Sequence, residues 1–345
     1  MPTFQRKIVT CFVVALLFAS CQQLQRVANT HPKINGVSYV APANETSVAS
    51  MAHVQAVNAN WVCLMPYAFT PNNSTEVRYN SKRQWWGEKP IGVRATIQHA
   101  RELNLKIMLK PHLWLRHGAF TGHLKFENDG DWDKWANNYS TYILEYANLA
   151  EKNKIELFCI GTELETFVQN RAENWRSLID DVKKVYSGKL VYAANWDEYK
   201  SFPFWKDMDY IGIDAYFPLI DDRTPTVEEI KNNWSKWSDE IKEVSKKIKK
   251  PVLFTEFGYR NIDACAKKPW EAPGKETAIN QDCQRNALEA LLDVFWEEDW
   301  FAGGYSWKWF DNHENMDPTM NRTYSVQNKP AQKILQSYYG KNQRK

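Results

Sequence analysis

Eight short apolar or aromatic runs punctuate this chain, with amphipathic helical periods between them. The runs are INGVSYV (34–40), ANWVCLMPY (59–67), LKIMLKPHL (105–113), IELFCIGTE (155–163), KLVYAANW (189–196), MDYIGIDAYF (208–217), PVLFTEFGY (251–259) and FAGGYSWKWF (301–310). Several are almost continuously apolar, as strands buried on both faces of a parallel sheet are. Between them Val48, Met51, Val54 and Val57 recur at helical spacing, as do Ile97, Ala100 and Leu103. Trp132, Trp135, Tyr139, Tyr142, Tyr146 and Leu149 mark a long amphipathic helix, with a cap expected near Asp131. Further helical stripes start at Trp175, Ile230, Leu288 and Ala331. Eight alternations of strand and helix predict an α/β chain folded as a single-domain (β/α)8 TIM barrel over residues 34–340. The rival is a doubly wound open sheet. Such a sheet often carries a glycine-rich phosphate loop after its first strand, and none stands there.

In such a barrel the chemistry sits where strands end at their C-terminal side. Polar groups appear just where the apolar runs stop. The third run ends with Lys110, His112 and Trp114, and the fourth with Thr162, Glu163 and Glu165. The fifth ends with Asn195, Trp196 and Asp197, the sixth with Asp214 and Tyr216. The seventh ends with Glu256 and Tyr259, the eighth with Trp307, Lys308 and Trp309. An acid closing a buried strand is costly unless something compensates it, so Glu256 demands a partner or a task. The chain carries 16 Trp, 16 Tyr and 16 Phe. Flat aromatic walls interleaved with donors and acceptors suit a sugar, whose C–H face stacks on Trp. Two carboxylates on separate strands suit glycoside hydrolysis, which needs an acid and a nucleophile or base. Glu165 competes with Glu163, being on the same side of an extended strand.

IGTELE at the end of the fourth run and FTEFGY at the end of the seventh resemble the acid/base and nucleophile positions of glycoside hydrolase clan A. More narrowly, WWGE (85–88), LKPHLWL (109–115), GTELE and GYSWKWF resemble glycoside hydrolase family 113, whose characterised members are β-mannanases. The resemblance runs from about residue 34 to 310. It implies a retaining endo-β-1,4-mannanase working by double displacement without a cofactor. Glu163 matches the acid/base, Glu256 the nucleophile, and Tyr216 a tyrosine that orients the nucleophile. Trp307 or Trp309 matches the platform under the sugar, while Lys110 and His112 match polar groups of the cleft. The other strand-end residues Trp114, Thr162, Asn195, Trp196, Asp214 and Tyr259 join the expected substrate-binding set. Thr162 is a departure, since most of the clan has Asn before the acid/base to hold the sugar's 2-hydroxyl. Another β-glycan, such as a glucan or xylan, is therefore kept as an alternative substrate. A non-catalytic glycan-binding lipoprotein is the alternative from another class.

The remaining features bear on where the chain works. Arg6 and Lys7 precede an apolar run, residues 8–18, then Ala19, Ser20 and Cys21. A basic start, a short apolar stretch and small residues describe a secretory signal, too short for a spanning helix of roughly 20 residues. LFASC resembles a bacterial lipoprotein signal, in which Cys21 becomes the lipidated first residue. Residues 1–20 are thus expected to be the signal and 21–33 a polar tether. The protein is then exported, and held at a membrane through its lipid alone. In that compartment Cys265 and Cys283, flanking a loop, are expected to form a disulfide. The formal net charge of +3 points to no nucleic-acid partner, and a monomer acting on a polysaccharide is expected. No CxxC is present, and the histidines at 112, 117 and 123 lack a suitably spaced acid, so no metal site is expected.

Overall fold

The computed structural model describes residues 32–71, 74–317 and 319–341. The strands are β1 (Ile34–Tyr39), β2 (Trp61–Leu64), β3 (Tyr67–Thr70), β4 (Lys106–Leu109), β5 (His112–Leu115), β6 (Leu157–Thr162), β7 (Lys189–Asn195), β8 (Ile211–Asp214), β9 (Val252–Phe257) and β10 (Phe301–Trp309). Eight of them close into an all-parallel barrel in the order β1-β10-β9-β8-β7-β6-β4-β2. The helices are α1 (Val48–Ala52), α2 (Pro90–Glu102), α3 (Asp129–Lys152), α4 (Glu165–Asn170), α5 (Ala172–Val185), α6 (Val227–Ile248), α7 (Gln281–Phe295) and α8 (Pro330–Lys341). The expected (β/α)8 barrel is what forms.

Two of the expected strands are interrupted. The run at 59–67 splits into β2 and β3, and the run at 105–113 into β4 and β5. Each break falls at a proline, Pro66 or Pro111, which has no N–H to give to a ladder. The chain restarts beyond each proline as a separate parallel pair, β3 with β5, in register Tyr67↔His112 and Phe69↔Trp114. This small sheet extends the C-terminal rim of the barrel and carries Tyr67, His112 and Trp114 past the barrel proper. The helix expected to be capped near Asp131 starts two residues earlier. Its cap is Asn128, whose side chain accepts from the Asp131 N–H at 2.9 Å.

The core has two layers. Alternate strand residues point inward, and Cys63, Met108, Leu157, Cys159, Val191, Leu253 and Tyr305 fill the barrel. Cys63 and Cys159 are thus small apolar fillers. Tyr305 reaches across the floor over Gly36, where an added Cβ would meet its ring at 2.2 Å. The outer layer packs the helices on the barrel with large aromatics, among them Trp135, Trp175, Trp234 and Trp296. Most of the 16 tryptophans and 16 tyrosines are absorbed this way, which leaves few free for a ligand.

Candidate active site

Glu256, the penultimate residue of β9, has only 6% of its surface exposed. Its compensation is Lys110, just beyond β4 and wholly buried, whose Nζ donates to Glu256 Oε1 at 2.6 Å. The same ammonium donates to Asp214 Oδ1 at 3.1 Å, at the end of β8. Asp214 also accepts from Thr255 Oγ1 at 2.7 Å. Burial opposes the charge on Lys110, but Asp214 and Glu256 outweigh it and raise its pKa. The ammonium therefore stays charged at any ordinary pH. Burial, and next the charge of Glu256, pushes the Asp214 carboxyl up to about 7 against the pull of Lys110. The second Glu256 oxygen, Oε2, accepts from the Tyr216 hydroxyl at 2.8 Å. Glu256 is thus fixed at both oxygens, with a cation on one side and a phenol on the other.

Glu163 lies one residue past β6 and lines the same cleft as Glu256. Its backbone is left-handed, φ 50°, a conformation uncommon outside glycine that turns the chain sharply out of the strand. Burial pushes its carboxyl well above the usual range, and the charges of Asp214 and Glu256 add to that, with Lys110 opposing. Lys110 opposes these influences only in part, which favours the proton-carrying form of Glu163. Glu165 does not compete with it. That residue opens α4 and accepts from Gln169.

The cleft has a volume of about 700 Å³. Of the expected residues, His112, Trp114, Thr162, Glu163, Asn195, Trp196, Tyr216, Glu256 and Trp307 line it. The His112 ring lies between Tyr67 and Trp307, with centroids 5.0 and 5.9 Å away. Burial and the nearby Lys110 and Lys308 push its pKa well down, so the ring is neutral. His112 Nε2 is buried without a hydrogen-bond partner among the described residues and lies 3.6 Å from Glu256 Oε1. Trp114 is half exposed on the rim, and Trp196 stacks on Trp270 at 5.3 Å.

Four expected residues sit elsewhere. Lys110 and Asp214 lie beneath Glu256 as its electrostatic floor and do not line the cleft. Trp309 is 1% exposed and stacks on His313, so Trp307 is the aromatic presented to the cleft. The even offset between 307 and 309 does not separate them in sequence, because both lie on the same side of an ideal strand. Tyr259 is packed in the outer core and its carbonyl accepts from Gln284. Arg260, Trp270 and Tyr324 line the cleft and were not anticipated. They come from long connections without periodicity, and only the aromatic content hinted at Trp270 and Tyr324. The Arg260 guanidinium lies 4.2 Å from the Tyr324 ring centroid. A second cavity, of about 650 Å³, is lined by Phe69, Arg78, Lys82, Arg83, Trp85 and Glu88 among others. It offers one carboxyl and so no acid pair.

Cys265 and Cys283 are both buried, with sulfurs 2.8 Å apart as free thiols in contact. The two side chains expected to form a bridge are thus neighbours. No group of His, Cys, Asp and Glu able to hold a metal occurs among the described residues.

A parallel barrel that brings two carboxyls in unequal surroundings to one aromatic-walled cleft has the makings of a glycoside hydrolase. The model of Glycoside Hydrolase Family 113 matches residues 38–329, and the chain belongs to that family. Its fold is similar to that of the GH113 β-mannanase AaManA from Alicyclobacillus acidocaldarius in complex with ManMIm. That pair shares 24% identity over 91% of this chain and 99% of the other, with a TM-score of 0.79. A GH113 β-1,4-mannanase solved as a complex shares 26% identity over 90% of this chain and 99% of the other, at a TM-score of 0.77. The β-glucuronidase of Ruminococcus gnavus shares the fold at 14% identity and a TM-score of 0.60, over 50% of its length. No curated protein matches the chain significantly.

Proposed function

We propose that this glycoside hydrolase is a retaining endo-β-1,4-mannanase, exported and lipid-anchored. The observation that carries the mechanism is the unequal treatment of two acids in one cleft. Glu256 is held by Lys110 and Tyr216, while burial and the charges of Asp214 and Glu256 raise the Glu163 carboxyl. In this reading Glu163 gives its proton to the leaving glycosidic oxygen as a Glu256 oxygen bonds to the anomeric carbon. The bond from that carbon to the leaving oxygen breaks, giving a glycosyl-enzyme. Glu163, now ionised, takes a proton from water, whose oxygen displaces Glu256 with a second inversion. Trp307 would stack under the sugar, and neutral His112 would meet one of its hydroxyls. The choice of mannan is supported by the β-1,4-mannanase relative at 26% identity.

Hydrolysis of a panel of mannan, cellulose, β-glucan and xylan tests this. Mannan is expected to be cleaved at least about tenfold faster than the rest, a margin of roughly 1.4 kcal/mol in the transition state. Internal cuts should release a ladder of oligosaccharides. Faster turnover of another backbone would move the assignment to that glycan, and no turnover on any would favour the glycan-binding reading.

The anchor is argued from sequence alone, since Cys21 lies outside the described residues. No described helix is long and apolar enough to cross a membrane. Expressed in a Gram-negative host, the full chain is expected in the membrane fraction and its Cys21→Ser variant in the soluble exported fraction. Equal partitioning of the two would remove the anchor.

A further inference from the structure

Glu198 is a buried acid that the mechanism above does not use. It is 2% exposed and lines no part of the cleft. Its carboxyl is fully engaged. Oε1 accepts from the Tyr192 hydroxyl at 2.8 Å, and Oε2 accepts from the Asn195 N–H at 3.2 Å. The Tyr192 hydroxyl in turn accepts from the Leu164 N–H at 2.8 Å. Leu164 directly follows Glu163. The Glu163 N–H itself donates to the Ala193 carbonyl at 2.8 Å. Two successive amides of the turn that presents Glu163 are therefore tied to β7, the second through a phenol and a carboxyl.

Tyr192 has little freedom to move. Its ring stacks on Phe202 at 4.2 Å and meets the edge of Trp175 at 5.4 Å. An added Cβ at Gly161, two residues before Glu163, would lie 3.3 Å from the same ring. A left-handed non-glycine residue persists only where its surroundings over-determine it. Here those surroundings are Tyr192 and Glu198. The same carboxyl also fixes the start of the segment that carries Asn195 and Trp196 into the cleft wall.

We propose that Glu198 and Tyr192 are positioning residues that set the place of the Glu163 carboxyl against the leaving glycosidic oxygen. The proposal rests on Glu163 being the acid/base. It follows from geometry: a proton donor works only within hydrogen-bond reach of its acceptor, and displacement by about 1 Å costs roughly 100-fold. Loss of the Tyr192 hydroxyl alone, which leaves the Asn195 N–H on Glu198, should weaken proton donation and spare sugar binding.

The test compares Tyr192→Phe, Glu198→Gln and Glu198→Ala with Glu163→Ala. Each acts on the best polysaccharide of the panel and on a dinitrophenyl glycoside of the same sugar, whose leaving group needs little protonation. Tyr192→Phe keeps the stacked ring and removes only the hydroxyl. It is expected to lower kcat/KM, which reports formation of the glycosyl-enzyme, about 30-fold on the polysaccharide and less than about threefold on the aryl glycoside. Glu198→Ala, which also frees the Asn195 N–H, should add to that split a loss common to both substrates, and Glu198→Gln, which keeps an acceptor for Tyr192, should regain most of the split. Equal losses on both substrates, or a loss confined to KM, would overturn the proposal. So would full activity on both in folded variants. If Tyr192→Phe fails to fold, the Gln and Ala variants at 198 carry the same comparison. Glu163→Ala separates the two readings. If it too impairs both substrates equally, the acid/base assignment itself is wrong. If it shows the split and the Tyr192 and Glu198 variants do not, only the positioning role falls.

Discussion

Glu256→Ala is expected to reduce turnover of every substrate by about 10⁴-fold or more, whatever the leaving group. The variant removes the atom that bonds to the anomeric carbon, so an activated aryl group cannot compensate. It leaves Lys110 and Tyr216 around a small void on the side from which that carbon is attacked. Azide, a small anion, fits beside the exposed ammonium. It should attack the anomeric carbon while Glu163 protonates the departing oxygen, restoring part of the rate and yielding a glycosyl azide of inverted configuration. In Glu163→Ala the glycosyl-enzyme still forms from an aryl glycoside. Azide then displaces Glu256 and gives the retained product. Opposite configurations from the two variants are a stereochemical signature that misfolding cannot imitate. Azide products of the same configuration from both variants, or Glu256→Ala turnover within about 100-fold of the parent, would refute the double displacement.

The wild-type pH profile should carry the other acid. Because burial and the neighbouring charges raise the Glu163 carboxyl well above its usual range, loss of its proton should define the basic limb of kcat/KM. Below that limb the acid is loaded, and activity falls as pH rises through it. With an aryl glycoside and Glu163→Ala, the basic limb should vanish.

How much of this is legible in the sequence differs from residue to residue for physical reasons. The barrel is legible because burial on both faces writes continuous apolar runs and helix packing writes a 3.6-residue stripe. Glu163, Tyr216 and Glu256 are legible because each is a polar group at the point where such a run stops. Lys110 is legible as a strand-end residue, but not as the floor of the site. Its contact with Asp214 joins residues 104 apart, and that with Glu256 joins residues 146 apart, so closure of the barrel alone creates them. Trp307 and Trp309 share one parity, yet one lines the cleft and the other stacks on His313. Arg260, Trp270 and Tyr324 are placed by long connections whose course no local period encodes. Glu198 is the least legible. It lies in a stretch of turns after β7, where an acid is ordinarily solvated, and its burial follows from Tyr192 and Asn195 reaching it.

Lys110→Met is expected to damage both stability and activity. Methionine matches the length and volume of the lysine stem, so packing is largely kept and the loss is electrostatic. What remains is Asp214 and Glu256, both buried, with no cation between them. Removing one partner of a buried ion pair costs about 3–5 kcal/mol, because the other charge is left uncompensated. Unfolding by urea should register a loss of that order. Turnover should fall by about 10³-fold, because Glu256 then either takes up a proton or, still charged, loses the contact that holds it in line for attack. The double variant Lys110→Met, Asp214→Asn separates the two effects. Neutralising Asp214 removes one of the stranded charges, so part of the stability should return, while the Glu256 oxygen still lacks its ammonium and turnover should stay low. Recovery of both together would mean that Lys110 acts on the fold alone. A single variant within about 1 kcal/mol and tenfold of the parent would show that Glu256 draws its compensation from elsewhere.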